Sequence, residues 1–160
     1  MLKLTKRSDY GLIALRHLAV AGPAGVVTVK EISDTYKIPQ PLLAKVLQTL
    51  TRSGILSAEQ GARGGYRLAK PASKITTLDV LRTIDGPVIL TSCSTHDGAC
   101  DQNDFCTVKA PLGVVHEQIL KLLDGITVAD LTADMPKMPP KLYTLAPLVS
   151  GERRPEVNPL

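Results

Sequence analysis

Apolar residues in the first third of the chain recur at helical spacing in three short runs, each bounded by turn residues. In SDYGLIALRHLAVA, residues 8–21, Tyr10, Ile13, Leu15, Leu18 and Ala21 fall two or three positions apart, and Gly22-Pro23 ends the run. A second run opens on Thr28-Val-Lys-Glu31, a capping box in which each side chain can satisfy an orphan backbone N–H; it predicts a helix to about Tyr36. The turn Lys-Ile-Pro leads into QPLLAKVLQTLTRSG, residues 40–54. There Pro41 suits a first helical turn and Gly54 a C-terminal cap. Leu42, Leu43, Val46, Leu47 and Leu50 form one stripe, while Gln40, Ala44, Lys45, Gln48, Thr49 and Arg52 fall on other faces. Two short helices joined by a tight turn fit a helix-turn-helix, and equally an ordinary helical hairpin with a wet outer face.

The next segment favours the first reading. ILSAEQ-GARGG-YRLA reads as a β-hairpin with three glycines in a five-residue tip that also carries Arg63. A hairpin directly after a helix-turn-helix is a wing, and an arginine on a glycine tip can lie against phosphates or in a minor groove. A plain surface hairpin is the blander alternative. Thr76 and Asp79 then cap TLDVLRTID, which Gly86-Pro87 ends.

Further on, Val108, Leu112, Val115, Ile119 and Leu122 are spaced by 4, 3, 4 and 3, a narrow seam of the coiled-coil type. Such a helix on a small DNA-binding unit pairs most naturally with its twin, though the seam could instead pack on its own domain. Thr127 and Asp130 can cap one last short turn, and from 134 on there are six prolines in 27 residues with little periodicity. The expected fold is mostly α with a small β-hairpin wing: a winged helix-turn-helix plus a long dimerisation helix. Residues 1–86 form the DNA-binding domain, 87–106 a cysteine-bearing loop, 107–133 the dimerisation helix and short cap, and 134–160 a Pro-rich, disordered tail.

Composition narrows the partners. The chain has 160 residues, no Trp and one Phe, so no aromatic platform for single strands is evident. Residues 1–70 hold 11 Lys/Arg against 4 Asp/Glu, a balance of +7, whereas residues 71–133 hold 4 against 8, a balance of −4. The basic part suits a polyanion, and a two-fold dimer suits a pseudo-palindromic duplex. No apolar run approaches the roughly 20 residues of a membrane span, and the start of the chain lacks a signal-peptide pattern. A cytoplasmic protein is expected.

All three cysteines lie in one polar stretch, CSTHDGACDQNDFC, residues 93–106, with six residues between Cys93 and Cys100 and five between Cys100 and Cys106. In a reducing compartment clustered thiols mean metal or redox chemistry rather than structural disulfides. Zinc is disfavoured because the paired C-x₂-C spacing is missing. The acidic neighbours disfavour very reactive thiols, since negative charge raises a thiol pKa. Nothing supplies an oxyanion site, phosphate loop or paired-carboxylate pocket, so an enzyme is not expected.

The order of parts resembles the Rrf family of bacterial winged-helix transcription regulators. The resemblance rests on LTKRSDYGLIAL, VKEISDTYKIPQPLLAKVLQTLTRSGIL, GGYRLAK, LDVLRTIDG and three cysteines before a long helix, and covers about residues 1–133. It implies a homodimer on operator DNA and, in branches that keep three cysteines, an iron–sulfur cluster on Cys93, Cys100 and Cys106, with [2Fe–2S] preferred to [4Fe–4S]. Where one branch has a histidine ligand, this chain has Lys109. The resemblance then points to Asp9 of the partner subunit as fourth ligand, with His96, His116, water, a small thiol or no fourth ligand as alternatives; for His17 a packing or surface role is expected. Gln60 stands where the family often has an arginine ahead of the wing tip, and Ala44 replaces an acidic operator-selecting residue, so no operator sequence carries over.

The expected function is a DNA-binding repressor controlled by the cluster, sensing iron–sulfur status, oxygen or nitric oxide. The alternative keeps DNA binding and replaces the cluster with cysteine oxidation. Gln40, Lys45, Gln48 and Arg52 would face the major groove, Arg63 the minor groove, and Lys3 and Lys6 the phosphates. Thr28, Pro41, Gly64 and Tyr66 complete the expected DNA-facing set.

Overall fold

The computed structural model describes residues 4–23, 25–61, 64–91 and 104–133. Cys93, Cys100, His96, Lys3, Arg63 and the Pro-rich tail lie outside them. Five helices and one hairpin follow in the order α1 (Lys6–Ala21), α2 (Val29–Tyr36), α3 (Gln40–Arg52), β1 (Leu56–Glu59), β2 (Gly65–Leu68), α4 (Thr77–Asp85) and α5 (Lys109–Asp124).

Helix α1 starts two residues earlier than the apolar pattern implies, because Thr5 is its cap and accepts the Ser8 backbone N–H. Its inward face is Ser8, Gly11, Ala14, Leu15 and Leu18, while Tyr10 and Ile13 are only half-buried and Ala21 is exposed. The small residues let α1 lie close against α3 and α4. A Cβ on Gly11 would run into Ile84 Cδ1 on α4.

Helix α2 has the Thr28 half of the predicted box, with Glu31 N–H donating to Thr28 Oγ1 at 3.1 Å, while the Glu31 carboxylate lies 3.7 Å from His17 Nε2. It ends on Lys37, whose φ of 56° places it in the left-handed region. The turn is pinned from both sides: Ser33 Oγ donates to the Ile38 carbonyl at 2.7 Å, and Ile38 N–H returns to the Ser33 carbonyl. Ile38 is buried, so the angle between α2 and α3 is set by core packing as well as by hydrogen bonds. The predicted stripe of α3 is buried at Leu43, Val46, Leu47 and Leu50, with Leu42 at its edge. These join Leu15, Leu18, Ile32, Leu56, Ile75 and Val80 in one core.

The end of the chain's described part returns to that core. After α5, Val128 is fully buried, and its N–H donates to the Ile75 carbonyl at 2.9 Å. Thr77 N–H and Oγ1 both donate to the Ile126 carbonyl. Arg16 Nε on α1 donates to the Leu131 carbonyl at 2.8 Å. Thr127 and Asp130 cap each other in the predicted short turn, which is a 3₁₀ turn over Asp130–Thr132. Residues 126–132 therefore pack back against the first 86 residues, with Val128 in their core.

Candidate nucleic-acid interface

Burying one stripe of α3 forces the opposite face outward, and that face is polar. Gln40, Pro41, Lys45, Gln48 and Arg52 are all exposed, with Ala44 and Thr49 half-buried at its margin. Thr49 Oγ1 is turned back to the Lys45 carbonyl at 3.0 Å, so it offers less to an outside partner. Lys45 and Arg52 enter no ion pair among the described residues. Lys30, one helix earlier, differs: its ammonium is paired with Asp34, which raises the Lys30 pKa and lowers that of Asp34. The pair is exposed and adds little to stability.

The hairpin beside α3 is held in register from Leu56↔Leu68 to Glu59↔Gly65. Arg67 and Glu59 join across it at 2.9 Å. A third backbone segment braces it: Val27 N–H donates to the Tyr66 carbonyl at 3.0 Å, and Tyr66 N–H to the Val27 carbonyl at 2.8 Å. That bridge places the tip-side half of β2 next to Thr28, the cap of α2. A Cβ on Gly65 would lie 2.5 Å from the Val27 carbonyl oxygen, so this approach requires glycine. Gly64 is similarly close to the Glu59 carbonyl.

The structure also sorts the expected DNA-facing residues by their local duties. Lys6 is exposed at the start of α1, in the same turn as Arg7 and Asp9. The Thr28 hydroxyl is engaged as the α2 cap. Tyr66 is half-buried and packs on the core, so its first role is to seat the hairpin. Lys3 and Arg63 are outside the described residues. Sequence reading gave no signal for the Val27–Tyr66 bridge, because an isolated two-residue pairing has no periodicity.

The expected ligand residues and α5 are described in part. Cys106 is half-buried, in no disulfide among the described residues, three positions ahead of α5. Asp9 is exposed in the first turn of α1, where the helix dipole favours an acid. His116 Nδ1 is enclosed on α5 and has no hydrogen-bond partner among the described residues. His17 has the packing role expected of it: its ring meets Tyr36 edge-on at 5.5 Å, Nδ1 lies 3.2 Å from the Tyr36 hydroxyl and Nε2 3.7 Å from Glu31. Among the described residues no three His, Cys, Asp or Glu side chains gather around one point.

Helix α5 buries no residue, yet it carries Val108 at its start and Val114 and Val115 along it, 54%, 58% and 46% exposed. Leu112, Ile119 and Leu122 are half-buried. Four of the five predicted seam positions lie on α5 itself, and Val108 is its N-cap. No helix among the described residues is long and apolar enough to cross a membrane.

The Rrf2 family pattern, described as an iron-dependent transcriptional regulator, matches residues 4–134. The chain belongs to that family. Solved structures agree with the fold. CymR (YrzC), the global cysteine regulator of B. subtilis, superposes with a TM-score of 0.73 at 24% identity, covering 84% of this chain and 99% of that one. T. potens IscR gives 0.65 at 26% identity and 94% coverage of each chain. Staphylococcus aureus CymR gives 0.64 at 22% identity, covering 82% and 98%. This Rrf2 chain is thus a transcriptional regulator built on a winged helix-turn-helix, and the exposed face of α3 is its candidate DNA-reading surface.

Proposed function

We propose that this Rrf2 chain is a homodimeric repressor that grips a pseudo-palindromic operator with α3 and the wing, and that an iron–sulfur cluster on Cys93, Cys100 and Cys106 controls the grip. The observation that carries the DNA reading is the outer face of α3: Gln40, Lys45, Gln48 and Arg52 stand exposed together on a helix whose other side is locked in the core. Glutamine can pair with adenine and arginine with guanine through two hydrogen bonds, while Lys45 suits a phosphate. Lys6, with Lys3 and Arg63, adds phosphate and minor-groove contacts.

The dimer reading is supported by the exposed valines of α5, which the other described residues leave uncovered. A second copy, related by a two-fold axis, buries the same patch on both sides. The donor chemistry suits the cluster. Thiolates are the protein ligands of iron–sulfur clusters, and Cys106 is neither sealed in the core nor tied in a disulfide among the described residues. When bound, the cluster supplies a centre that reacts with oxidants and nitric oxide. Asp9 of the partner subunit is the preferred fourth ligand. Because the cysteine loop joins α4 to α5, a change in the loop shifts the dimer helix relative to the DNA-reading unit.

The deciding experiment uses anaerobically purified protein: visible absorbance, iron and sulfide per chain, and selection of duplexes from a random pool. Brown protein with iron and sulfide that Cys100→Ala loses, together with one recovered operator motif, supports the reading. A protein that stays colourless after reconstitution but loses the operator reversibly on oxidation is a thiol switch on Cys93, Cys100 and Cys106. Recovery of no common duplex overturns the proposal.

A further inference from the structure

A cavity of about 150 Å³ lies on the DNA-binding unit where α3 ends, β2 leaves the wing and α4 runs past. Its apolar lining is Ile55 and Ile75, 4% and 1% exposed. Its polar lining is Lys70, Lys74, Asp79, Thr83 and Ser53. Asp79 and Thr83 are one turn apart on α4, so both side chains reach the same side of the helix. Lys70, Lys74 and Asp79 enter no ion pair among the described residues, and Thr83 makes no side-chain hydrogen bond there. Ser53 Oγ donates to the Leu50 carbonyl, which leaves its lone pairs free to accept.

We propose that this cavity binds a small amino acid, with its carboxylate on Lys70 and Lys74, its ammonium on Asp79 and a short side chain over Ile55 and Ile75. The charge set decides the class. Two ammonium groups alone would take any small anion, but a carboxylate beside them opposes a plain phosphate or sulfate and rewards a ligand that carries its own cation. The size agrees, since a cavity of about 150 Å³ holds a ligand of roughly benzene's bulk, which is that of an amino acid with a short side chain. The Thr83 and Ser53 hydroxyls add acceptors for the ammonium, and Thr83 a donor for the carboxylate. None of its lining residues belongs to the outer face of α3. It touches the end of the recognition helix and the root of the wing, so an occupant there links both to α4. The inference rests on the cavity alone and does not depend on the proposed operator or cluster.

The test is an amide-resolved NMR titration of the full chain with glycine, alanine, serine, acetate, methylamine and inorganic phosphate. Saturable shifts at Ser53, Lys70 and Thr83 with the amino acids, at least about tenfold tighter than with acetate or methylamine, are expected. Lys70→Ala with Lys74→Ala should weaken amino-acid binding by at least about tenfold. Asp79→Asn should erase the preference over acetate. All three positions are exposed, and unchanged thermal unfolding checks that the variants fold. The proposal is overturned if these amides stay unmoved while unrelated surface amides begin to shift. It is equally overturned if phosphate or acetate matches the amino acids, which would make the cavity a plain anion patch.

Discussion

Ser8 and Asp85 sit 77 residues apart and share a hydrogen bond of 2.5 Å, from Ser8 Oγ to Asp85 Oδ2. The same carboxylate oxygen accepts from Thr5 Oγ1 at 2.7 Å, and Thr5 also caps α1. Ser8 is fully buried, so its hydroxyl has no water to fall back on. The last residue of α4, immediately before the segment that leads to the cysteine loop, thereby holds the first turn of α1, which carries Lys6, Arg7 and Asp9. Asp85→Ala should destabilise the fold by about 1.5–3 kcal/mol, because it orphans a buried hydroxyl and loosens a cap. Asp85→Asn keeps an acceptor and should lose less. Urea midpoints of the two variants decide; equal midpoints would mean the contact contributes nothing.

Gly65→Ala should detach the wing without melting the core. The added Cβ meets the Val27 carbonyl oxygen, which is backbone and cannot rotate away. A cost of about 1–3 kcal/mol is expected. It should fall on the Val27–Tyr66 bridge, seen as faster amide exchange at both residues, and on operator affinity.

Lys45→Ala and Gln48→Ala should fail differently on DNA. On the proposed binding mode Lys45 holds a phosphate, so its loss should weaken all duplexes alike and reduce the slope of log affinity against log salt by about 1. Loss of Gln48 should leave the salt slope unchanged and cost about 1–3 kcal/mol of discrimination at one base pair. Binding isotherms at several salt concentrations separate the two.

Val115→Glu should split the dimer and spare the monomer. Val115 is exposed and no residue of α5 is buried, so the charge faces no core atom among the described residues. Sedimentation should show one chain per particle with unchanged helical content. A dimer that survives the change would place the interface elsewhere.

Asp130 predicts a pH dependence. Its carboxylate accepts from the Thr127 hydroxyl at 2.6 Å and from the Thr127 backbone N–H at 2.7 Å, and these bonds hold its pKa below the ordinary 3.8. A carboxylate depressed in the folded state stabilises fully above its unfolded pKa, and the contribution is lost as pH falls through the folded value. The returning segment should therefore loosen below about pH 4, first at the amides of Ile126 to Thr132. Asp130→Asn should remove that part of the acid dependence and leave the rest.

Much of this architecture was legible in the chain itself. The capping boxes at Thr28–Glu31 and Thr76–Asp79, Pro41 at the start of α3 and the leucine stripe of α3 are local signals, and local physics fixes them. The outer face of α3 followed because burying one side of a helix defines the other. The glycine-rich hairpin was readable for the same reason.

What the sequence did not reveal depends on residues brought together from far apart. Hydrophobic periodicity cannot see that Ser8 and Gly11 are interior, since a hydroxyl and a missing side chain carry no apolar signal; only the approach of Asp85 and Ile84 makes them so. Nor does it see that Val128 completes the core of a unit whose first helix begins at Lys6, or that Val27 braces the wing. Composition and spacing determined the helices and the hairpin by themselves. Which face of α1 turns inward, how the wing is seated and where the chain returns were decided by tertiary packing, because those choices are contacts between segments and no single segment contains them.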